Sequence, residues 1–305
     1  MSDSTQSPQV LPINPKHVAL QFARRKDLSE ARFILDEIAL RMLDRLQYIR
    51  MVPEQIIDVG CGPGLRYEGL RERYPKANYI GVDNCPTYIQ TAQAQHQDSG
   101  LGAVWRKLGG KKGPQFILTD MASTQLPPES AQLVWSNLAL HWHPEPHRVI
   151  AEWRRLLSVG GLCMFSCFGP SSLIEVRNAL AHAGIQTGTM PFVDMHDFGD
   201  ILLEHGFMDP VMDQELITLT YKTPEKLLED VYHLGGNPVA GRAPGLRGRG
   251  WYQRLLAGLE AGRGEDGLLR LTLEVAYGHA WRSATMQHSG ETRVSISSIT
   301  HLSKL

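Results

Sequence analysis

A glycine-rich run between two carboxylates is the part of this chain whose residue types best fit ligand chemistry. It reads Asp58-Val-Gly-Cys-Gly-Pro-Gly64, and a second acid, Asp83, ends the next strand pattern. The apolar pair Ile56-Ile57 precedes the run and helical spacing follows it, so the glycines lie on a strand-to-helix turn. Glycine there can adopt positive φ and lets a ligand approach the main chain. Because Asp83 can accept both hydroxyl protons of a ribose, the pattern predicts a small ligand that contains one.

The position of the first acid distinguishes this turn from a dinucleotide-binding turn. The order is D-x-G-x-G-x-G rather than G-x-G-x-x-G, and a carboxylate at Asp58 would repel a pyrophosphate and attract a cation. S-adenosylmethionine fits, because it carries an amine and a sulfonium and has no phosphate. The segment resembles the cofactor motif of the class I S-adenosylmethionine-dependent methyltransferases. The alternative is that the glycines serve only the conformation of the turn.

This resemblance implies roles for side chains at several strand ends, because ligands of open α/β sheets bind outside the carboxyl ends of the strands. It implies that Asp83 holds the ribose, that Asp120 meets the adenine amine beside Met121, and that Asn137 lies beneath the methionine part. For Asp120 the alternative is a turn residue, since aspartate favours turns. The expected cofactor-binding residues are Asp58, Gly60, Gly62, Gly64, Asp83, Asn84, Asp120, Met121 and Asn137.

Alternating strand and helix patterns predict the elements that position these residues. Strand patterns cover 55–59, 78–82, 115–119, 132–136 and 161–168, with helical patterns at 64–74, 85–96 and 146–157. This order predicts an α/β fold with a doubly wound, mostly parallel, seven-stranded Rossmann-like sheet. The strand patterns 212–220 and 268–281 are expected to pair as an antiparallel C-terminal edge. Gly160-Gly161 is expected to end the preceding helix, and the helical pattern within 27–49 to lie over the sheet edge beside the pocket.

Changes in composition and periodicity along the sequence divide the chain into five segments. They are an N-terminal tail and lid segment (1–26), a methyltransferase core (27–220), a small helical cap insertion over the pocket mouth (221–266), the last core strand (267–282) and a C-terminal tail (283–305). Residues 1–14 are polar and rich in Ser, Gln and Pro, so they are expected to form a disordered tail.

Composition and charge exclude several classes of function. The 31 Lys and Arg nearly balance the 32 Asp and Glu, and the net charge of −1 does not favour a nucleic-acid partner. The apolar stretches are shorter than the ~20 residues that a membrane span requires. The four cysteines form no C-x-x-C pair, which indicates a reducing compartment. The cytoplasm is therefore expected, with the peroxisome as the alternative in a eukaryote, because the chain ends in Ser303-Lys304-Leu305.

Three further segments, 137–142, 234–242 and 276–281, resemble the malonyl-acyl carrier protein O-methyltransferases of biotin biosynthesis. The resemblance covers about residues 30–282 and implies acyl carrier protein as the carrier of the substrate. A carboxylate acceptor is ionised at neutral pH, so it needs alignment and exclusion of water rather than a general base. No catalytic residue is therefore assigned. Candidates for the acceptor pocket are Trp142, His141 and Arg242, or its neighbour Arg247, with a solvated loop as the alternative for the arginines.

His141 and His143 form an H-x-H pair, but no further ligand cluster with recognisable spacing accompanies it, so no metal site is expected. One departure concerns the N-terminal segment that folds over the cofactor, where the biotin-pathway enzymes carry a tyrosine. Residues 22–28 contain none, and this stretch resembles the methyltransferase-fold arginine hydroxylases that assist assembly of respiratory complex I. Two alternatives stay open: such a hydroxylase or assembly factor, and a non-catalytic assembly protein that binds the cofactor.

Overall fold

The computed structural model describes residues 10–25, 29–96, 113–242 and 248–284. The described strands form one seven-stranded sheet with the order β3-β2-β1-β4-β5-β7-β6. In chain order they are β1 (Gln55–Val59), β2 (Asn78–Asp83), β3 (Gln115–Leu118), β4 (Ala131–Asn137), β5 (Leu157–Phe168), β6 (Phe207–Tyr221) and β7 (Leu269–Arg282). Strands β1 to β5 are parallel, and β7 is antiparallel to both β5 and β6. The predicted mostly parallel sheet with an antiparallel C-terminal edge is confirmed.

Helices cover both faces of this sheet. They are α1 (Pro15–Arg24), α2 (Ser29–Leu46), α3 (Tyr67–Arg73), α4 (Pro86–His96), α5 (Pro146–Leu156), α6 (Ile174–His182), α7 (Met195–Glu204), α8 (Pro224–Leu234) and α9 (Arg249–Glu260), with a short 3-10 helix, η1 (Leu140–Trp142). On β1, Ile57 shares one buried cluster with Trp153 of α5, whereas Ile56 belongs to a second cluster with Met42 of α2. This alternation is the period of two that a strand buried on both faces requires.

The strand order reverses between β1 and β4. From β1 the chain proceeds to β2 and β3 on one side, and β4 and β5 then build the sheet on the other side. A crevice opens at such a switch point, outside the carboxyl ends of the strands. The fold therefore places the glycine run after β1, the acid at the end of β2 and the end of β4 around one crevice.

Two expectations about the core are wrong. Helix α5 ends at Leu156 and β5 begins at Leu157, so Gly160 and Gly161 lie inside β5 rather than ending the helix. There Gly160 has φ 75° at an irregularity in the register with β4, the kind of bulge at which glycine is favoured. Helix α2 packs on the sheet face over β4 and β5 rather than over the sheet edge, and Arg45 in its last turn pairs with Asp213 of the edge strand β6 at 2.5 Å. Leu35 of α2 lines the crevice, so this helix does lie beside the pocket.

The N-terminal segment also differs from the expectation. Leu11 and Ile13 are each only 5% exposed, and the Leu11 N–H donates to the Pro144 carbonyl at 2.8 Å, so residues 11–14 are packed rather than disordered. The side chain of Asn14 accepts from the Lys16 N–H at 3.0 Å and Pro15 follows it, which is a favourable start for α1. Residues 1–9 and Ser303-Lys304-Leu305 lie outside the described residues.

Helix α9, which belongs to the expected cap, does not lie over the crevice. It packs against α6 and α8, and of the described cap residues only His233 and Leu234, at the C-terminal end of α8, reach the crevice. None of the helices in the described ranges has the length and apolar content needed to cross a membrane. The cysteines, Cys61, Cys85, Cys163 and Cys167, are buried and free, and Cys163 and Cys167 share the core as their spacing predicts.

Candidate functional site

A cavity fills the crevice outside β1, β2 and β4. The strand ends and their turns form its floor, and residues of α1, η1 and α8 cover it. Eight of the nine predicted cofactor-binding residues line this cavity: Asp58, Gly60, Gly62, Asp83, Asn84, Asp120, Met121 and Asn137. Gly64 does not line it. Its φ is 78°, and a Cβ there would lie 2.9 Å from Phe116 Cε1, so Gly64 serves the packing of the turn against β3.

The glycine run is held in a fixed position between two strands. The N–H groups of Gly60 and Cys61 donate to the Val82 carbonyl at 2.8 and 3.0 Å. A Cβ on Gly60 would lie 2.2 Å from the Cβ of Ala139, so only glycine allows the turn to approach the end of β4 this closely. A Cβ on Gly62 would meet nothing within 4 Å. The main chain of Gly62 is therefore open to a ligand in the cavity.

The acid at the end of β2 is oriented by backbone donors. Asp83 Oδ2 accepts from the Gly62 N–H at 2.9 Å, and Oδ1 accepts from the Cys85 N–H at 2.8 Å. Each oxygen keeps a further lone pair, so the carboxylate can still accept from two adjacent hydroxyls. Burial raises the pKa of Asp83, and the backbone donors oppose that rise. This geometry fits a ribose lying beside the open face of Gly62.

The first acid is the most deeply buried charge of the cavity. Asp58 is 1% exposed, and its Oδ2 accepts from the Tyr79 hydroxyl at 2.6 Å. Burial raises the pKa of Asp58 to about 7, with Tyr79 and the Arg66 guanidinium lowering it and Asp83 adding to the rise. A cation bound beside Asp58 would favour its ionised form.

We expect the affinity for S-adenosylhomocysteine, whose amine is a cation, to fall as the pH decreases through 7. Because the ligand favours ionised Asp58, a proton competes with it, and affinity should be about tenfold weaker at pH 6 than at pH 8. Calorimetric titration at several pH values measures this slope. Asp58→Asn should bind more weakly and lose the slope, whereas Tyr79→Phe should move its midpoint to higher pH. An unchanged slope in Asp58→Asn would show that another group titrates.

The end of β4 forms the rest of the floor. The side-chain amide of Asn137 donates to the Leu35 carbonyl at 3.1 Å, and its oxygen accepts from the Ser166 hydroxyl at 2.9 Å. Leu138 follows with φ 51°, a left-handed conformation that costs a non-glycine residue about 1 to 2 kcal/mol. Such strain is typical of functional sites. The two hydrogen bonds of Asn137, to Leu35 of α2 and Ser166 of β5, fix the position of this part of the floor.

Asp120 and His143 face each other at the cavity rim. The Asp120 carboxylate accepts from the Ala122 N–H at 2.7 Å, which makes it a turn residue as well as a cavity residue. Its Oδ1 lies 3.6 Å from His143 Nε2, and this contact lowers the pKa of Asp120. His143 Nδ1 accepts from the Glu145 N–H at 3.0 Å, so Nε2 carries the proton of the neutral ring and directs it toward Asp120. The H-x-H pattern of the sequence suggests only a metal ligand for His143 and gives no signal for this contact.

Of the three acceptor-pocket candidates, the structure brings only Trp142 to the cavity. Its ring packs edge-on against Phe22 at 5.4 Å and so closely on Gly235 that a Cβ there would lie 1.8 Å from it. His141 is 1% exposed and packs among the Trp142, Phe168 and Phe192 rings, where burial lowers its pKa to about 3. Consecutive residues of a 3-10 helix point in different directions, which separates His141 from Trp142.

Arg242 is exposed and lies in a different surface groove, beside Arg24 and Trp251. Its predicted role in the cavity is therefore not supported by its position, and Arg247 lies outside the described residues. The part of the chain that the structure describes contains no group of three or more His, Cys, Asp or Glu side chains that could hold a metal ion. In particular, His141 faces the core whereas His143 faces Asp120.

The cover of the cavity includes residues that the sequence analysis missed. Helix α1 contributes Pro15, Val18, Phe22 and Arg25, while Tyr88 and His233 contribute from α4 and α8. The capping pair Asn14-Pro15 and the i, i+4 spacing of Val18 and Phe22 were signals for an amphipathic helix here. The resemblance assigns this segment to a lid over the cofactor, but no local pattern indicates which of its side chains reach the cavity.

Comparison with known proteins gives a consistent result. The methyltransferase domain family matches residues 57–165. Malonyl-[acyl-carrier protein] O-methyltransferase from Gallionella capsiferriformans is 37% identical over 274 residues, which cover 89% of this chain and 92% of that protein. The protein of the same name from Nitrosospira multiformis is 38% identical over 283 residues, covering 89% of this chain and 90% of that protein.

Among solved structures, the YcgJ protein from Bacillus subtilis superimposes with a TM-score of 0.53. The match covers 80% of this chain and 99% of that protein at 12% sequence identity, so it shows a shared fold.

Proposed function

Because the chain belongs to the malonyl-[acyl-carrier protein] O-methyltransferase family, we propose that it transfers a methyl group from S-adenosyl-L-methionine to a malonyl carboxyl. The malonyl group would be attached to acyl carrier protein, and its free carboxyl would become a methyl ester. By the resemblance noted above, this step belongs to biotin biosynthesis. The relatives are bacterial proteins, so the proposal places the reaction in the cytoplasm, and they do not support the peroxisomal alternative.

The observation that carries the proposal is the open main chain of Gly62 beside the oriented carboxylate of Asp83. Their hydrogen bond of 2.9 Å fixes an acceptor for ribose hydroxyls next to a surface without a Cβ. Asp58, one strand away, supplies negative charge for an amine or a sulfonium. The cavity thus fits a cationic nucleoside, and Asp58, Asp83, Asn84, Asp120, Met121 and Asn137 would hold it.

When bound, the cofactor supplies an activated methyl group: a carboxylate oxygen lone pair forms the O–CH3 bond while the C–S bond electrons move to sulfur. No proton is transferred in this displacement, so the chain has to align the acceptor and exclude water. Phe22, Trp142 and Leu138 line the cavity with apolar surface. His141, which burial keeps neutral and which lies behind Trp142, is not needed as a base.

The two other functions considered above receive less support. The relatives that cover about nine-tenths of this chain are named for methyl transfer to a malonyl carrier protein, not for arginine hydroxylation or assembly. The absence of the lid tyrosine does not leave the cavity open, because Phe22 and Arg25 of the N-terminal segment line it instead.

The proposal is tested with the full chain, methyl-labelled cofactor and three carrier proteins that bear malonyl, acetyl or no acyl group. We expect label to enter only the malonyl form, as an ester that mild base removes. A parallel incubation with arginine-containing protein tests for hydroxylation by mass spectrometry. If the malonyl carrier protein stays unlabelled while the cofactor binds, the proposal is wrong.

A further inference from the structure

The cover of the cavity contains a buried guanidinium to which no described residue supplies an anionic partner. Arg25 caps the C-terminal end of α1, is 3% exposed and lines the cavity. Its Nη1 donates to the His233 carbonyl at 3.1 Å, whereas Nε and Nη2 have no hydrogen-bond partner in the described structure. Arginine is almost never this buried unless it is paired, because an unpaired buried charge is costly.

Within the described ranges, no acidic side chain interacts with Arg25. The Phe22 ring lies 4.5 Å from the guanidinium carbon, and the titratable groups that interact with Arg25 are the side chains of Tyr88, Tyr232 and Cys85. Burial raises the pKa of both Tyr88 and Cys85, so these two groups are neutral at neutral pH. Of the acids described at this cavity, Asp58 and Asp83 belong to the floor and Asp120 to the rim beside His143.

The two free nitrogens define the chemistry of the missing partner. Nε and Nη2 lie along one edge of the planar guanidinium and can donate two parallel hydrogen bonds, which is the geometry that a carboxylate accepts bidentately. The strand ends already supply a carboxylate, Asp58, for the cation of the cofactor. Arg25 instead belongs to the cover, which is the side from which an acceptor must approach the floor-bound cofactor.

We propose that Arg25 binds the malonyl carboxylate that receives the methyl group. This inference rests on the proposed function and adds the residue that selects the acceptor. The fork holds the carboxylate and leaves an oxygen lone pair free to attack the methyl carbon. Methylation neutralises the carboxylate, so the ester no longer matches the guanidinium and is released. Acetyl carrier protein, which lacks the carboxylate, is rejected because it leaves the buried charge unpaired.

The test compares the full-length variants Arg25→Gln and Arg25→Lys with Arg24→Gln, a matched control on an exposed neighbour in the same helix. Calorimetry gives the affinity for S-adenosylhomocysteine. The protein saturated with S-adenosylhomocysteine is then titrated with malonyl and acetyl carrier proteins, and the ratio of the two affinities gives the malonyl preference without turnover. We expect Arg25→Gln to keep the S-adenosylhomocysteine affinity within about threefold and to lose a malonyl preference of about 30-fold or more. Arg25→Lys should restore part of that preference, and Arg24→Gln should keep it.

The two measurements on the Arg25 variants distinguish binding of the malonyl carboxylate from other roles of Arg25. If Arg25→Gln weakens S-adenosylhomocysteine at least tenfold and keeps the malonyl preference, Arg25 binds the cofactor carboxylate and the inference is overturned. Unchanged preference and unchanged cofactor affinity also overturn it. If Arg25→Gln does not fold, Arg25→Met, which keeps the apolar stem, and the KM of Arg25→Lys for malonyl carrier protein provide the same comparison. Failure of the wild-type chain to methylate malonyl carrier protein would instead contradict the proposed function itself.

Discussion

Replacing Asp83 by alanine is expected to weaken the binding of S-adenosylhomocysteine by about 100-fold or more. The carboxylate would supply two charge-assisted hydrogen bonds to the ribose, each worth about 1.5 to 3 kcal/mol. The same change leaves the N–H groups of Gly62 and Cys85 without their acceptor, so the turn that faces the ligand is also loosened. Equilibrium dialysis with labelled S-adenosylhomocysteine measures the dissociation constant.

Asp83→Asn and Asp120→Ala are the matched controls for this prediction. Asparagine keeps one oxygen at the strand end and should lose about tenfold in affinity. The Asp120 side chain is 54% exposed, so its removal should cost less than that of Asp83. The role assigned to Asp83 is wrong if Asp83→Ala binds within a few-fold of the wild-type chain.

Of the substitutions that add one methyl group to the cavity floor, Gly60→Ala is expected to destabilise the protein most. The new Cβ would lie 2.2 Å from the Cβ of Ala139, and alanine would also have to adopt the φ of 76°. Overpacking of this kind costs about 1 to 3 kcal/mol, and the left-handed backbone about 1 to 2 kcal/mol more. We therefore expect the free energy of unfolding to decrease by about 2 to 5 kcal/mol, and cofactor binding to be lost as the turn moves away from β4. Urea denaturation and dialysis measure these two effects.

Gly160→Ala separates the two causes. Gly160 has a φ of 75°, but a Cβ there would meet nothing within 4 Å, so this control shows the backbone cost alone. The double variant Gly60→Ala with Ala139→Gly removes the colliding Cβ and should recover the part of the loss that exceeds the Gly160→Ala value. Equal destabilisation by Gly60→Ala and Gly160→Ala would show that the contact with Ala139 is not limiting.

The sheet and the cavity floor were predictable because their signals are local. Each strand that ends at the cavity carries its own apolar run and its own terminal acid or amide, and parallel pairing brings those ends together. The order of these elements was enough to predict that Asp58, Gly62 and Asp83 lie around one crevice. Gly160 was misjudged because a bulge inside a strand and the end of a helix have the same glycine signal.

A lid from the N-terminal segment was expected from the resemblance, but the side chains by which the cover reaches the cavity were not predictable, because they depend on contacts that are distant in the sequence. A hydrogen bond to the carbonyl of His233, 208 residues away in the chain, holds Arg25 at the cavity. The charged residues next to Arg25 in the sequence are typical of an exposed helix, so they give no sign of this contact. In the H-x-H pair, a single turn of 3-10 helix places His141 in the core and His143 at the rim. If this segment were an extended strand, the spacing of two residues would place His141 and His143 on the same face. Tertiary contacts decide such positions.

The binding roles of Asp58, Asp83 and Arg25 all require a cationic nucleoside across the ends of β1 and β2, and calorimetric titration of the intact chain with S-adenosylhomocysteine shows whether it binds. We expect one saturable site per chain whose affinity weakens as the pH falls below 7. A titration that releases no binding heat up to millimolar ligand, with no binding by dialysis either, would contradict these roles.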